Sequence, residues 1–357
     1  AIGSALPRGK ITLGIASQPV DFDLRRNAIE LEGLNLDIDD SRLSGWFKLT
    51  DYTRPAMTFN LSSELLDIDA LLGTSPVAQQ ARQAAVEAPA SDTSEDVQIV
   101  LPMELLRSLK VDGELRVKQI KLRNLLLEDV ELKVTSADGL LNLDPIRMSL
   151  YQGSFEGRVQ LDVRKQHPKY RVSQSLSGVQ IGPLLTDYLG EERITGELNA
   201  SVELQTRGEW LSALIKNSNG TMKLAFTDGA LKGFNLRYSI EKAKAKLNRQ
   251  PAPPEQVLKT DFSALGLSGK IRNGVFTSND LRLQAPLLRV GGEGQADLNN
   301  NRVDYLVKVR LVGSLEGQQE VASDDAKGLL IPVSIKGPFA APEIDVQLDE
   351  MLKAAAA

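Results

Sequence analysis

Residues 198–204 read Leu-Asn-Ala-Ser-Val-Glu-Leu, an alternation of apolar and polar side chains that recurs along much of the chain. Successive side chains of a β-strand point to opposite faces of the sheet, so this alternation predicts strands with one hydrated and one apolar face. Residues 130–134, Val-Glu-Leu-Lys-Val, and 344–348, Ile-Asp-Val-Gln-Leu, show the same pattern. Parallel sheets are usually buried on both faces, so the pattern indicates antiparallel pairing.

Turn-forming residues separate these strands. Five Asp-Gly or Asn-Gly pairs favour the positive backbone φ of tight hairpin turns, namely Asp112–Gly113, Asp138–Gly139, Asn219–Gly220, Asp228–Gly229 and Asn273–Gly274. The run Asn299–Asn301 predicts another turn. Gly33 and Gln119 each shift the alternation by one residue, and such a shift predicts a β-bulge at each position.

The strands recur in groups. Residues 45–72 and 157–185 share a strand that begins with glycine, a proline, a second strand and a closing Leu-Leu pair, and residues 276–311 repeat this arrangement more loosely. Repeats of this kind bury their apolar faces only against their neighbours. The sequence therefore indicates an array of divergent β repeats.

Few helices are expected. Pro102–Leu109 and Glu209–Ile215 predict short ones, and a longer helix is expected at about 234–247, where Leu236, Ile240, Ala243 and Leu247 form an apolar stripe.

We divide the chain into three parts. Residues 1–72 form a β-repeat segment, and residues 98–357 form a second β-rich region that contains the helix at about 234–247. Between them, residues 73–97 are rich in Ala, Gln, Ser, Glu and Asp, a composition that predicts a low-complexity loop or disordered insert.

The composition argues against several functions. The 357 residues include no cysteine, which excludes disulfides, thiolate metal sites and cysteine nucleophiles. The single histidine, His167, precedes a proline, and we interpret it as a polar loop residue. The net charge is −5 and the basic residues are scattered, which argues against nucleic-acid binding. We predict a protein that is not an enzyme and has no cofactor or metal site.

The predicted apolar face must be removed from water, and three arrangements would achieve this. Two sheets could close on each other as a sandwich. A transmembrane barrel needs aromatic girdles, and the aromatic content of 5% is too low for one. The third arrangement is a curved sheet whose aliphatic face is covered by lipid acyl chains, which suit a lining that lacks polar anchors.

Four stretches carry a resemblance to the C-terminal region of the AsmA family. They are 179–185, Val-Gln-Ile-Gly-Pro-Leu-Leu; 194–198, Ile-Thr-Gly-Glu-Leu; 226–236, Phe-Thr-Asp-Gly-Ala-Leu-Lys-Gly-Phe-Asn-Leu; and 330–337, Leu-Ile-Pro-Val-Ser-Ile-Lys-Gly. The resemblance implies a periplasmic β-rich protein of Gram-negative bacteria, related to bridge-like lipid-transfer proteins with repeating β-grooves. It also implies an inner-membrane anchor, a single N-terminal helix that would precede residue 1. The role implied is phospholipid transfer toward the outer membrane and support of its assembly.

Together, the residues and the resemblance predict a mainly β protein. We expect a long curved antiparallel sheet of divergent repeats that forms an open hydrophobic groove, with a few short α-helices. Phospholipid acyl chains would lie along Leu34, Leu36, Ile38, Leu115, Val117, Val130, Leu132, Val134, Leu281, Leu283, Val303 and Val307. The alternative is a structural scaffold that buries its own apolar faces and regulates the proteins that assemble the outer membrane.

Overall fold

A computed structural model describes residues 11–15, 21–23, 28–38, 41–50, 55–68, 96–122, 124–233, 235–247, 249–254, 257–286, 288–311 and 330–347. The described residues are mainly β-strand with a few short helices, which confirms the predicted fold class. Most of the proposed insert, residues 73–95, lies outside the described residues.

The strands are numbered in chain order: β1 (Ile11–Ile15), β2 (Asp21–Asp23), β3 (Ala28–Ile38), β4 (Ser41–Thr50), β5 (Ala56–Asp67), β6 (Lys110–Leu122), β7 (Leu125–Ala137), β8 (Leu140–Leu150), β9 (Gly153–Asp162), β10 (Lys169–Gln180), β11 (Ile194–Arg207), β12 (Asn219–Lys232), β13 (Lys259–Arg272), β14 (Val275–Ala285), β15 (Leu288–Asp297), β16 (Arg302–Leu311), β17 (Leu330–Pro338) and β18 (Glu343–Val346). The helices are α1 (Met103–Ser108), α2 (Ile181–Leu189), α3 (Leu211–Lys216) and α4 (Leu236–Leu247).

The chain forms two compact units. The first unit contains Ala1–Gln174 and Arg207–Leu214, and the second contains Ser175–Thr206 and Ile215–Ala357.

In the first unit, strands β3 to β9 pair in chain order, and β1 and β2 also pair with β3. These pairs are antiparallel with one exception. Strand β6 runs parallel to β5, with Leu61 opposite Leu115. A parallel pair needs a long crossover, and here the connection between β5 and β6 contains α1. The alternation of side chains did not reveal this pair, because one hydrated face leaves the same pattern in either direction.

In the second unit, strands β11 to β18 form an antiparallel meander in which each strand pairs with the next in the sequence. The predicted turns at Asp138–Gly139 in the first unit and at Asn273–Gly274 and Asn299–Asn301 in the second unit are confirmed.

The other three Asp-Gly or Asn-Gly pairs lie within strands, so the prediction of turns there was wrong. Gly113 lies in β6 against the ring of Phe59, and Gly229 lies in β12 against the ring of Phe262. Gly220 lies in β12 against the carbonyl of Glu203. A Cβ atom at any of these glycines would overlap its neighbour, so glycine here permits close approach, a role that sequence does not separate from turn formation.

The predicted bulge at Gly33 is confirmed, because the register between β3 and β4 shifts between Leu31 and Leu34. The prediction of a β-bulge at Gln119 is wrong, because the strand register does not change there. Strands β5, β6 and β7 keep one register on both sides of Gln119. Leu66, Ile120 and Leu127 are cross-strand neighbours in one apolar cluster, so the alternation shifts in all three strands together.

The predicted helices are present as α1, α3 and α4, each shorter than or offset from its expected range. Asn235 caps α4, since its side-chain oxygen accepts a hydrogen bond from the backbone N–H of Tyr238 at 2.9 Å. Leu236 and Ala245 of α4 are buried, whereas the side chains of Ile240, Ala243 and Leu247 lie outside the described set. Helix α2 was not predicted. It begins within the family-like stretch 179–185 and ends at Gly190, whose φ is 76°.

We expect Gly113→Ala to destabilise the protein by about 1–3 kcal/mol, because its new methyl group would overlap the Phe59 ring. Urea unfolding followed by circular dichroism measures this change. Gly266→Ala is the matched control, since its Cβ would approach no atom closer than 3.5 Å. Adding Phe59→Leu to Gly113→Ala should recover part of the loss, and a Gly113→Ala protein as stable as the wild type would contradict the prediction.

Candidate functional site

The apolar side chains of the first unit form rows that cross its strands. One row contains, in cross-strand order, Leu34, Gly45, Leu61, Leu115, Leu132 and Ile146. The next contains Leu36, Leu43, Ser63, Val117 and Val130. We call the side of each sheet that carries such rows its apolar face and the opposite side its hydrated face. The alternation of each strand therefore becomes a two-dimensional apolar surface.

The second unit has corresponding rows. One contains Leu198, Phe226, Leu265, Leu283, Val290, Val309 and Ile331. Another contains Leu281, Gly292, Val307, Val333 and Val346. Leu236 of α4 packs into the same cluster. Thr260 fixes the start of this helix to the sheet, because its hydroxyl accepts a hydrogen bond from the N–H of Leu236 at 3.0 Å.

The predicted lining residues fall on these faces in two groups. In the first unit, Leu115, Val117 and Val130 belong to one cluster, and Leu132 is the cross-strand partner of Leu115. Val134 lies opposite Gly113, next to the Phe59 ring.

In the second unit, Leu281, Leu283 and Val307 meet in one cluster. Val303 lies further along β16, between Ala296 and Gly337, and is not part of that cluster. The side chain of Ile38 lies outside the described set.

These residues differ in exposure. The buried ones are Leu34, Val117, Val130, Leu283 and Val307, and the half-buried ones are Leu36, Leu115, Leu132, Val134, Leu281 and Val303. Val309, Ile331 and Val333 have exposed fractions of 0%, 1% and 1%, so this part of the second unit is a closed core. A ligand could therefore reach the half-buried rows, but it could not reach this core without displacing protein.

A carboxylate, that of Asp280, lies at an irregularity of β14 in the second unit. Strand β14 has one extra residue between Ser278 and Leu281, and the register shifts against both neighbouring strands, β13 and β15. The Asp280 carboxylate accepts hydrogen bonds from the N–H of Ser268 at 2.7 Å and from the hydroxyls of Ser268 and Ser278 at 2.5 and 3.0 Å. It thus satisfies a backbone donor at the bulge. Sequence reasoning missed this group, although the alternation of β14 breaks at Asn279–Asp280.

These hydrogen bonds, led by that from the Ser268 hydroxyl, lower the pKa of Asp280. Burial is the main cause that raises the pKa of the nearby Tyr305 hydroxyl, and the negative charge of Asp280 adds to it. The bulge therefore carries a negative charge next to Ser268, Ser278 and Tyr305.

Two ionisable side chains, Asp37 and His167, lie beside charged neighbours in the described part of the chain. Asp37 accepts a hydrogen bond from Arg42 at 2.5 Å. His167 is exposed, and its Nδ1 atom lies 3.8 Å from a carboxylate oxygen of Glu209. Among the described residues, no group of three His, Asp or Glu side chains is placed to hold a metal ion. None of the described helices is long and apolar enough to cross a membrane.

Comparison with known proteins identifies a family. The profile of the AsmA family matches residues 2–281. The chain belongs to the AsmA family. Three of the stretches that suggested the resemblance lie within the match, whereas residues 330–337 lie beyond it. No solved structure matches the chain.

Two relatives come from Escherichia coli (strain K12). Protein AsmA is 23% identical over 359 residues, which cover 98% of this chain and 58% of that protein. AsmA family protein YhjG is 24% identical over 216 residues, covering 57% of this chain and 32% of that protein. The chain thus spans little more than half the length of AsmA.

We expect Asp280→Asn to destabilise this AsmA family protein by about 2 kcal/mol at neutral pH, because it replaces charge-assisted hydrogen bonds with neutral ones. Folding lowers the pKa of Asp280. The difference in unfolding free energy between wild type and Asp280→Asn should therefore be fully present above the ordinary carboxyl pKa, and it should disappear as the pH falls through the lowered pKa of the folded protein.

Urea unfolding between pH 7 and pH 3 measures this difference. Asp345→Asn, which changes an exposed carboxylate on β18, is the control. An Asp280→Asn effect that stays constant down to pH 3 would contradict the assignment.

Proposed function

We propose that this chain is the lipid-binding part of a periplasmic AsmA family protein. In this proposal, phospholipid acyl chains lie along the apolar faces while the headgroups stay in water. Transfer between the inner and outer membranes is then passive, because no bond is made or broken. The full-length protein would be anchored in the inner membrane by a helix that precedes this chain, and its transfer activity would support outer-membrane biogenesis.

The half-buried rows of the first unit carry this proposal. Leu36, Leu115, Leu132 and Val134 are aliphatic, lie on one face and keep part of their surface exposed. An acyl chain would cover that surface at about 0.8 kcal/mol for each buried methylene, so about ten methylenes contribute on the order of 8 kcal/mol. An aliphatic lining suits hydrocarbon tails, because it offers area without directional contacts.

The charges of the first unit favour the same orientation. Lys133 lies next to Leu132 along β7 but faces the hydrated side, 4.0 Å from Asp112. Arg147 lies 3.7 Å from carboxylate oxygens of both Glu131 and Glu156. Ion pairs in water contribute little stability, but they keep the hydrated face polar. One face of this sheet would thus contact acyl chains, and the other would contact water.

The closed core of the second unit supports a different candidate. Val309, Ile331 and Val333 are already covered by the chain, as in a protein that buries its own apolar faces. That arrangement fits a structural scaffold that regulates outer-membrane assembly proteins. We prefer lipid binding, because the accessible rows of the first unit would serve no purpose in such a scaffold.

The decisive experiment compares the lipid content of Leu132→Asp and wild-type protein. The new carboxylate would lie between Leu115 and Ile146, where an acyl chain leaves it unsolvated. We expect phospholipid per mole of protein to fall at least about tenfold, which corresponds to a cost of about 1.4 kcal/mol or more. Detergent-free purification from a bacterial host, lipid extraction and mass spectrometry measure this.

Lys133→Asp is the matched control, since it introduces the same side chain one residue further along β7 on the hydrated face. It should retain the lipid of the wild type. Circular dichroism verifies that both variants fold, and Leu132→Asn provides an uncharged polar variant if Leu132→Asp does not fold. Folded wild-type protein without bound lipid would refute the proposal and favour the scaffold.

A further inference from the structure

Four basic side chains surround a cavity on the hydrated face of the second unit. Arg282 of β14, Arg289 of β15, and Lys308 and Arg310 of β16 line it, together with Glu293 and several neutral residues. The cavity has a volume of about 500 Å³. We call these four residues and their cavity the basic cavity.

The strand register concentrates positive charge in the basic cavity. Arg289 lies directly opposite Arg310, and Gly291 lies between Arg282 and Lys308. Like charges directly opposite each other destabilise a sheet. A Cβ atom on Gly291 would meet no atom closer than 3.9 Å, so no side chain fills the centre of this arrangement.

Some basic residues of the sheets have carboxylate partners. Lys336 lies 3.5 Å from Asp304 in the second unit, and Lys48 lies 3.2 Å from Glu30 in the first. Within the described ranges, none of the four basic residues of the cavity has a carboxylate oxygen within 4.0 Å. Among the described residues, the lining of the cavity therefore carries four positive charges and the one negative charge of Glu293.

The guanidinium group of Arg289 is held in position, and that of Arg310 is partly buried. Arg289 donates from Nη1 to the carbonyl oxygens of Ala285 and Leu288 at 2.8 and 3.0 Å. The Nε atom of Arg310 is buried, and no acceptor for it is found among the described residues. A buried donor without a partner is costly, so this arrangement favours a bound acceptor.

We propose that the basic cavity binds a phosphate-bearing anion. Arginine presents paired N–H donors to phosphate oxygens, and lysine adds a mobile charge. A single phosphate fills only part of about 500 Å³, which leaves room for the organic part of a phosphate ester. A lipid headgroup and a soluble phosphate ester share this chemistry. The site lies on the face opposite the apolar rows, so it does not depend on the proposed binding of acyl chains.

The test measures binding to two probes at low ionic strength. Isothermal titration with glycerol 3-phosphate detects a soluble ester, and co-sedimentation with phosphatidylglycerol vesicles, against phosphatidylcholine vesicles, detects a headgroup in a bilayer. We expect Arg282→Gln combined with Lys308→Gln to weaken binding at least about tenfold, because two of the four cations are removed. Raising the salt concentration to 0.5 M should also weaken binding.

Lys118→Gln combined with Lys133→Gln is the control, since it removes the same charge from the hydrated face of the first unit. It should bind as the wild type does. Binding to both probes would identify phosphate esters in general, and binding to vesicles alone would identify a bilayer headgroup. Binding to neither probe would overturn the proposal, as would equal losses in the two double variants.

Gly291→Glu separates anion binding from folding. It places a carboxylate between Arg282 and Lys308, where it would supply the missing negative charge. We expect this variant to lose binding at least about tenfold while its urea midpoint stays equal to or above that of the wild type. Unchanged binding by a folded Gly291→Glu protein would also overturn the proposal.

Discussion

The alignment of apolar side chains between neighbouring strands is the constraint on which each sheet depends. A slip of one residue would turn a strand's apolar side chains toward water, so irregularities must be matched by the neighbours. Near Gln119, the alternation of apolar and polar side chains shifts by one residue in β5, β6 and β7 alike. Leu66, Ile120 and Leu127 therefore remain aligned. At Asp280 the extra residue belongs to β14 alone, and a carboxylate satisfies a backbone donor of β13 there.

These two solutions show what the sequence could predict. Alternation within a strand is a local pattern, so the sequence was enough to predict the mainly β fold and the antiparallel meander of the second unit. It also predicted the face of the sheet on which the lining residues lie, for every one whose side chain is described. Pairing partners depend on distant residues. The parallel pair of β5 and β6 and the shared phase change around Gln119 therefore became visible only in the structure.

The role of a glycine is also hard to predict from sequence alone. An Asp-Gly pair favours a turn when considered alone, and Asp138–Gly139 forms one. Gly113 and Gly229 instead admit the rings of Phe59 and Phe262 from neighbouring strands. Which role applies depends on the side chain opposite, and a single sequence does not reveal that residue. The exposure of the predicted lining residues also depends on distant parts of the chain. Leu236 of α4 packs into the cluster of the second unit, and alternation within the strands does not predict that contact.

If both proposals hold, the two faces of the sheets divide affinity and specificity between them. Contact with aliphatic rows grows with buried area and distinguishes poorly between one acyl chain and another. Discrimination needs fixed charges and hydrogen-bond donors, and in the second unit these lie around Gly291 on the hydrated face. Because alternation places apolar and charged side chains on opposite sides of each strand, each set can change in sequence without disturbing the other. A period of two residues therefore specifies the fold and would also keep the two proposed binding chemistries independent.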